Sequence, residues 1–150
     1  MALVAPLLLI ILLGVVELGR FFELKHALSG LTREAANLAA RGSSLEQAVT
    51  ITLSNAADIA LDDRGGVVAS QITSSAGRVI VKDQQASAGY GGRSRVGLKG
   101  AQVNDLAFAS LNSGESLYVV EVFCDYATVT PFPVITKAVF PEELYERVVF

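Results

Sequence analysis

The sequence predicts an α+β protein: a long N-terminal helix with a projecting apolar half, a short second helix, and a C-terminal antiparallel β-sheet domain. Three observations carry this. Met1–Val16 is an uncharged, almost wholly apolar run. A helical repeat of leucines and small residues continues from it as far as Arg41. From Gly66 onward the pattern changes to Val- and Ile-rich stretches with two-residue alternation, separated by Gly- and Ser-rich breaks. The chain is therefore divided into a long helix (1–41), a second helix (44–62) and a β-rich domain (66–150).

The opening run could be a signal peptide, a membrane anchor or the core helix of a filament subunit. No Lys or Arg precedes it and no Ala-x-Ala follows it, which argues against cleavage as a signal peptide. Met1–Val16 alone is at the short edge of what spans a bilayer. Extension through Phe22 reaches spanning length but takes in Glu17 and Arg20. A charge in hydrocarbon costs about 2.5–3.5 kcal/mol on insertion scales. These two lie three residues apart, so they share a helix face and are expected to offset each other. Beyond them Leu24, Leu28, Leu31, Ala35 and Leu38 form a narrow apolar seam, with small residues beside it that permit close approach. Pro6 is compatible with a helix that begins just before it. A helix from residue 3 to Arg41 would be about 60 Å long at about 1.5 Å per residue.

Gly42-Ser43-Ser44 ends that helix, and Ser44 is placed to cap the next, with Glu46 and Gln47 in its first turn. The second helix is expected to stop at "DDRGG". "GVVASQI" and "RVIVKDQQ" read as strands, "ASAGYGGRSRVG" as a mobile hairpin loop, and "AQVNDLAFASL" as a short helix. In "SGESLYVVEVFCDYATV", Tyr118, Val120, Val122, Cys124 and Tyr126 share one face and should point into the core. Leu117, Val119, Glu121, Phe123 and Asp125 share the other, which is expected to face outward or toward another subunit. "TPFP" makes a turn or edge connection, and "VITKAVF" and "YERVVF" are further strand candidates. Four or five antiparallel strands should pack on the C-terminal half of the helix system.

The first 42 residues hold Ala-Leu-Val-x-Pro with a Leu/Ile run, then Gly-x-x-Glu-x-Gly-Arg, then a small-residue stretch ending Ala-Ala-Arg-Gly. On these motifs the segment resembles the TadE-like pseudopilins of tight-adherence (Tad) pili, within the wider type IV pilin group. It implies a subunit held in the bacterial inner membrane before assembly, then carried into a pilus or retained in the periplasm. Its partners would be copies of itself or related pilins and the pilus assembly platform. Members of the family usually carry a Glu-Phe or similar pair before Ala-Leu-Val; here Met1 stands at the aromatic's position. Two readings follow: a few residues, including a processing site and that glutamate, precede Met1, which is the preferred expectation, or the subunit assembles without that glutamate.

A net charge of −3 gives no basic face for nucleic acid. Cys124, the single cysteine, is expected to be a buried core residue rather than a disulfide partner. His26, the single histidine, lies on the long helix with no nucleophile or orienting group near it in sequence. Gly89, Gly91 and Gly92 lack the Lys-Ser/Thr of a phosphate loop. Asp58, Asp62 and Asp63 lack the spacing of a calcium loop and read as a solvated turn. Glu142-Glu143 after Pro141 reads as an acidic first helical turn. No catalytic residue, metal ligand or cofactor site is expected. The residues assigned to helix–helix assembly are Leu9, Leu12, Gly14, Glu17, Gly19 and Arg20. The competing reading is a single-span membrane protein whose periplasmic domain binds a partner without polymerising.

Overall fold

The computed structural model describes residues 4–75, 77–104, 111–112, 114–129 and 139–150. Helix α1 runs Val4–Ala40, a rod about 55 Å long at about 1.5 Å per residue. Pro6 falls in its first described turn, where the missing N–H is harmless. Gly42 closes the helix at φ 96°, a conformation that favours glycine. Ser44 then caps α2, Leu45–Asn55: its hydroxyl accepts from Gln47 N–H at 3.1 Å, while the Gln47 side chain accepts from Ser44 N–H at 3.2 Å.

The second helix ends earlier than the sequence suggests. A 3₁₀ turn (Ala57–Ile59) and a single helical turn, α3 (Leu61–Arg64), follow it, joined through Ala60 in the left-handed region at φ 48°. The break has a packing reason: Ala56 and Leu61 are both buried, and the chain must turn between them to enter the sheet. Asp58, Asp62 and Asp63 lie exposed on these turns.

The sheet has four antiparallel strands in the order β2-β1-β3-β4, with β1 Gly65–Ser75, β2 Arg78–Ala86, β3 Ser116–Asp125 and β4 Glu143–Val149. One face carries Val67, Ala69, Val120, Val122, Cys124 and Leu144 into a common core with Leu24, Leu28, Ala35, Ala36 and Ala39 of α1 and Leu45, Ala48 and Val49 of α2. Buried Thr32 and Thr52 satisfy their hydroxyls on carbonyls one turn back, at 2.6 Å each. Cys124 is an interior residue of this core, and burial pushes its thiol pKa up.

The other face corrects three expectations. Val119, Glu121 and Phe123 are buried, not turned to solvent or to a second subunit. The glycine-rich stretch after β2 folds over them as a cover. Its Ser87 exchanges hydrogen bonds with Val67, Tyr90 lies 5.8 Å from the Phe123 ring, and Val96 packs with Ile72, Val81 and Val119. Gly66 is required here, since a Cβ on it would come within 2.2 Å of the Tyr90 ring. The cover ends extended: Gln102 bridges Ile80, and Val103 N–H donates to Val79 O at 3.0 Å. That pairing replaces the start of the expected helix in "AQVNDLAFASL"; residues 105–110 lie outside the described set, as do 130–138, which include "TPFP" and most of "VITKAVF".

The third correction concerns Glu142-Glu143, which lead into β4 rather than a helix. Glu142 O accepts from Tyr126 N–H at 2.8 Å, and the Glu143 carboxylate pairs with Arg93 and Arg95 of the cover. Ladder and ion-pair partners outweigh the local helix-start signal.

Candidate functional site

The first half of α1 stands clear of the rest of the chain. Val4, Leu8, Leu12 and Val16 are 54%, 60%, 63% and 53% exposed, and Leu7, Leu9, Ile10, Ile11, Val15 and Leu18 are exposed between them. From Val4 to Leu12 the exposure is on every side of the helix, so no face of that stretch is committed to the domain. Leu24 at 7% and Leu28 at 0% mark the packed half. The transition runs along one line: Leu13 partly covered, Glu17 buried, Phe21 partly covered, then Leu24 and Leu28. Successive steps of three or four keep these residues on one helix face.

The residues assigned to assembly are distributed unequally. Leu9 and Leu12 are exposed on the projecting half. Gly14 and Gly19 have open space beside them, with nothing within 4 Å of a Cβ built on either. Arg20 is exposed, whereas Glu17 is 2% exposed. Among the described residues no salt bridge joins Glu17 to Arg20.

Glu17 faces the segment that leaves β3. Tyr126 O–H donates to its carboxylate at 2.7 Å, and the same oxygen lies 3.2 Å from the Glu17 carbonyl. Val129 N–H donates to the two carboxylate oxygens at 3.2 and 3.4 Å. The Tyr126 ring packs edge-on against Phe21, with centroids 5.4 Å apart at 88°, and also contacts Phe140. Burial, and then the hydrogen bond to the Glu17 carboxylate, push the Tyr126 phenol up to about 12. This clasp joins residues more than 100 positions apart in the chain. Sequence reading placed Tyr126 on the core face of its strand but had no signal linking it to Glu17.

The architecture is an exposed apolar rod joined to a helix-and-sheet head, and Val4–Ala40 is long and apolar enough to cross a membrane. This defines a rod-and-head protein with one helix of membrane-spanning length and apolarity among the described residues. Residues 1–37 match the family model described as TadE-like protein, so the N-terminal segment is similar to that family. The match covers most of α1 and none of the sheet. No curated protein and no solved structure matched the chain.

Proposed function

We propose that this chain is a pilin-like structural subunit of a type IV-related, Tad-like pilus. It is held in the bacterial inner membrane by the projecting half of α1 and then polymerises through that same segment. The head would form the outer surface of the filament, in an extracellular pilus or a periplasmic one. Its partners would be copies of itself or related pilins, with an assembly platform to extract it from the bilayer.

One observation carries the reading: the projecting half of α1 is apolar on all sides and, from Val4 to Leu12, exposed at every position. Such a segment must be surrounded by lipid or by other helices. Transfer from lipid to a helix bundle nearly cancels the hydrophobic term, so specificity falls to close packing. Gly14 and Gly19, with open space beside them, suit that role. The TadE-like match over the same segment supports the assignment to this class of system.

The second reading, a single-span protein that never polymerises, gains from a different observation. Glu17 is already hydrogen-bonded within one copy, so it does not require a neighbouring subunit. Electron microscopy of sheared cell-surface material, with the chain tagged on its head, separates the two. Labelled fibres support polymerisation. Label confined to the membrane fraction, in cells that make pili, rejects it.

A further inference from the structure

Beside the point where α1 enters the head lies an open cleft of about 400 Å³, lined by Arg20, Glu23, Asp58, Arg64 and Tyr126 among others. It holds two cations and two anions, yet none of the four takes part in a salt bridge among the described residues. Arg64 is fixed in position, because its Nε–H donates to Ile59 O at 2.8 Å. The described hydrogen bonds leave its terminal nitrogens, both acidic side chains and Arg20 available to something in the cleft.

Two features select the ligand. First, the cleft opens beside the last exposed apolar residues of the rod, Val16, Leu18 and Phe22. With the rod in a bilayer, Arg20 sits at headgroup depth. Second, the charges balance, so the cleft suits a group carrying both signs rather than a simple anion. A guanidinium is matched to a phosphate. A primary ammonium, with three N–H donors, is matched to two carboxylates. A quaternary ammonium would need an aromatic cage, and Tyr126 is the one aromatic side chain lining the cleft among the described residues.

We propose that this cleft binds the headgroup of a phosphoethanolamine lipid, with the phosphate on Arg20 and Arg64 and the ammonium on Glu23 and Asp58. The proposal rests on the membrane-anchored stage of the reading above and adds a lipid preference to it. The subunit in the membrane thus carries a bound lipid that it must release when the rod enters a filament.

The test uses the full chain in nanodiscs of phosphatidylcholine doped with either phosphatidylethanolamine or phosphatidylglycerol, with retained lipid counted by native mass spectrometry after detergent transfer. The expected result is one retained phosphatidylethanolamine per chain, favoured about tenfold over either alternative, on the scale of one charge-assisted hydrogen bond. Arg64→Gln and Asp58→Asn should each remove that preference. Asp58 is exposed, so its variant keeps the test valid if Arg64→Gln unfolds, and a melting curve identifies which has occurred. Equal retention of all three lipids, or an unchanged preference in a folded Asp58→Asn variant, overturns the proposal. So does displacement of the lipid by millimolar inorganic phosphate, which would make the cleft a free-phosphate site. Flotation of the wild-type chain with pure phosphatidylcholine vesicles tests anchoring separately: a chain that floats but shows no lipid preference refutes the cleft alone, and a chain that fails to float refutes the anchor as well.

Discussion

Glu17 and Arg20 share a helix and a sequence motif, but their surroundings differ, and so do the expected effects of removing them. Glu17 is buried and accepts from the Tyr126 hydroxyl and the Val129 amide. Hydrogen bonds to a charged group are worth about 1.5–3 kcal/mol each. Glu17→Ala should therefore destabilise the head by roughly 2–4 kcal/mol, seen as a lower urea midpoint in detergent with an unchanged slope. Arg20→Ala, at an exposed position, should stay within about 0.5 kcal/mol. Equal effects would mean the clasp contributes nothing. Tyr126 supplies a pH signature at the same site. Its folded pKa of about 12 lies above the ordinary tyrosine value, so its contribution to stability is complete below that ordinary value. It is lost as the pH climbs from about 10 toward 12. Phenolate absorbance should show a late ionisation that shrinks by one tyrosine in Tyr126→Phe, the remainder coming from Tyr145, whose phenol burial and the Glu121 carboxylate also push up.

At the scale of elements, the rod and the cover over the sheet make separate claims. Leu9→Asp or Leu12→Asp puts a charge on the exposed apolar half of α1, far from the core of the head. Either should abolish fibre formation while the head keeps its cooperative melting; normal fibres from either variant would reject polymerisation through this segment. The cover is tied down by Glu121, which is fully buried and accepts from Ser94 O–H, from Arg95 N–H at 2.9 Å and from Tyr145 O–H at 2.7 Å. Glu121→Ala leaves those donors without an acceptor and should cost about 3 kcal/mol or more. Proteolysis should then cut near Gly91 and Gly92 at a rate the parent does not show. The rod and α2 were legible because their signals are local: an apolar run, a small-residue seam, and Ser44 as a cap with Glu46 and Gln47 in the first turn. The strands were legible from their β-branched residues. The cover was not. Val119 and Phe123 flank Glu121 on a strand whose opposite face is wholly apolar or aromatic, and two apolar faces imply a layer on each side. The buried carboxylate pointed the other way, since its three donors come from residues 94, 95 and 145. The Glu17 clasp was hidden for the same reason: its partners are distant in sequence, and a Glu three residues from an Arg suggests a local pair first.

For the whole molecule, the question is where the rod stops and the head starts. The seam from Leu24 onward suggests a cut near Ala27, but packing continues back to Glu17 through Leu24, Phe21 and the Tyr126 clasp. A fragment beginning at Glu17 should be monomeric and melt cooperatively, with mixed helix and strand by circular dichroism. One beginning at Ala27 loses Leu24 and the ring contacts of Phe21 with Tyr126 and Phe140. It should be less stable by several kcal/mol, on the scale of about 2–5 kcal/mol for one large core side chain. If the two fragments melt together, the head begins at the later point and the clasp belongs to the rod alone.

The clasp also fixes the path by which tension passes through the molecule. A pull on the rod reaches the head not only along the covalent chain through Ala40 but also through Glu17, at the root of the exposed segment. From there it passes to Tyr126, next to the C-terminal end of β3. That strand is an inner one, bonded along its length to β1 on one side and β4 on the other. Force entering at its end meets a strand held on both sides, so it is shared between two ladders rather than borne by one. A head gripped in this way has two attachments to its rod, and in single-molecule pulling from the rod Tyr126→Phe should lower the force at which the head yields.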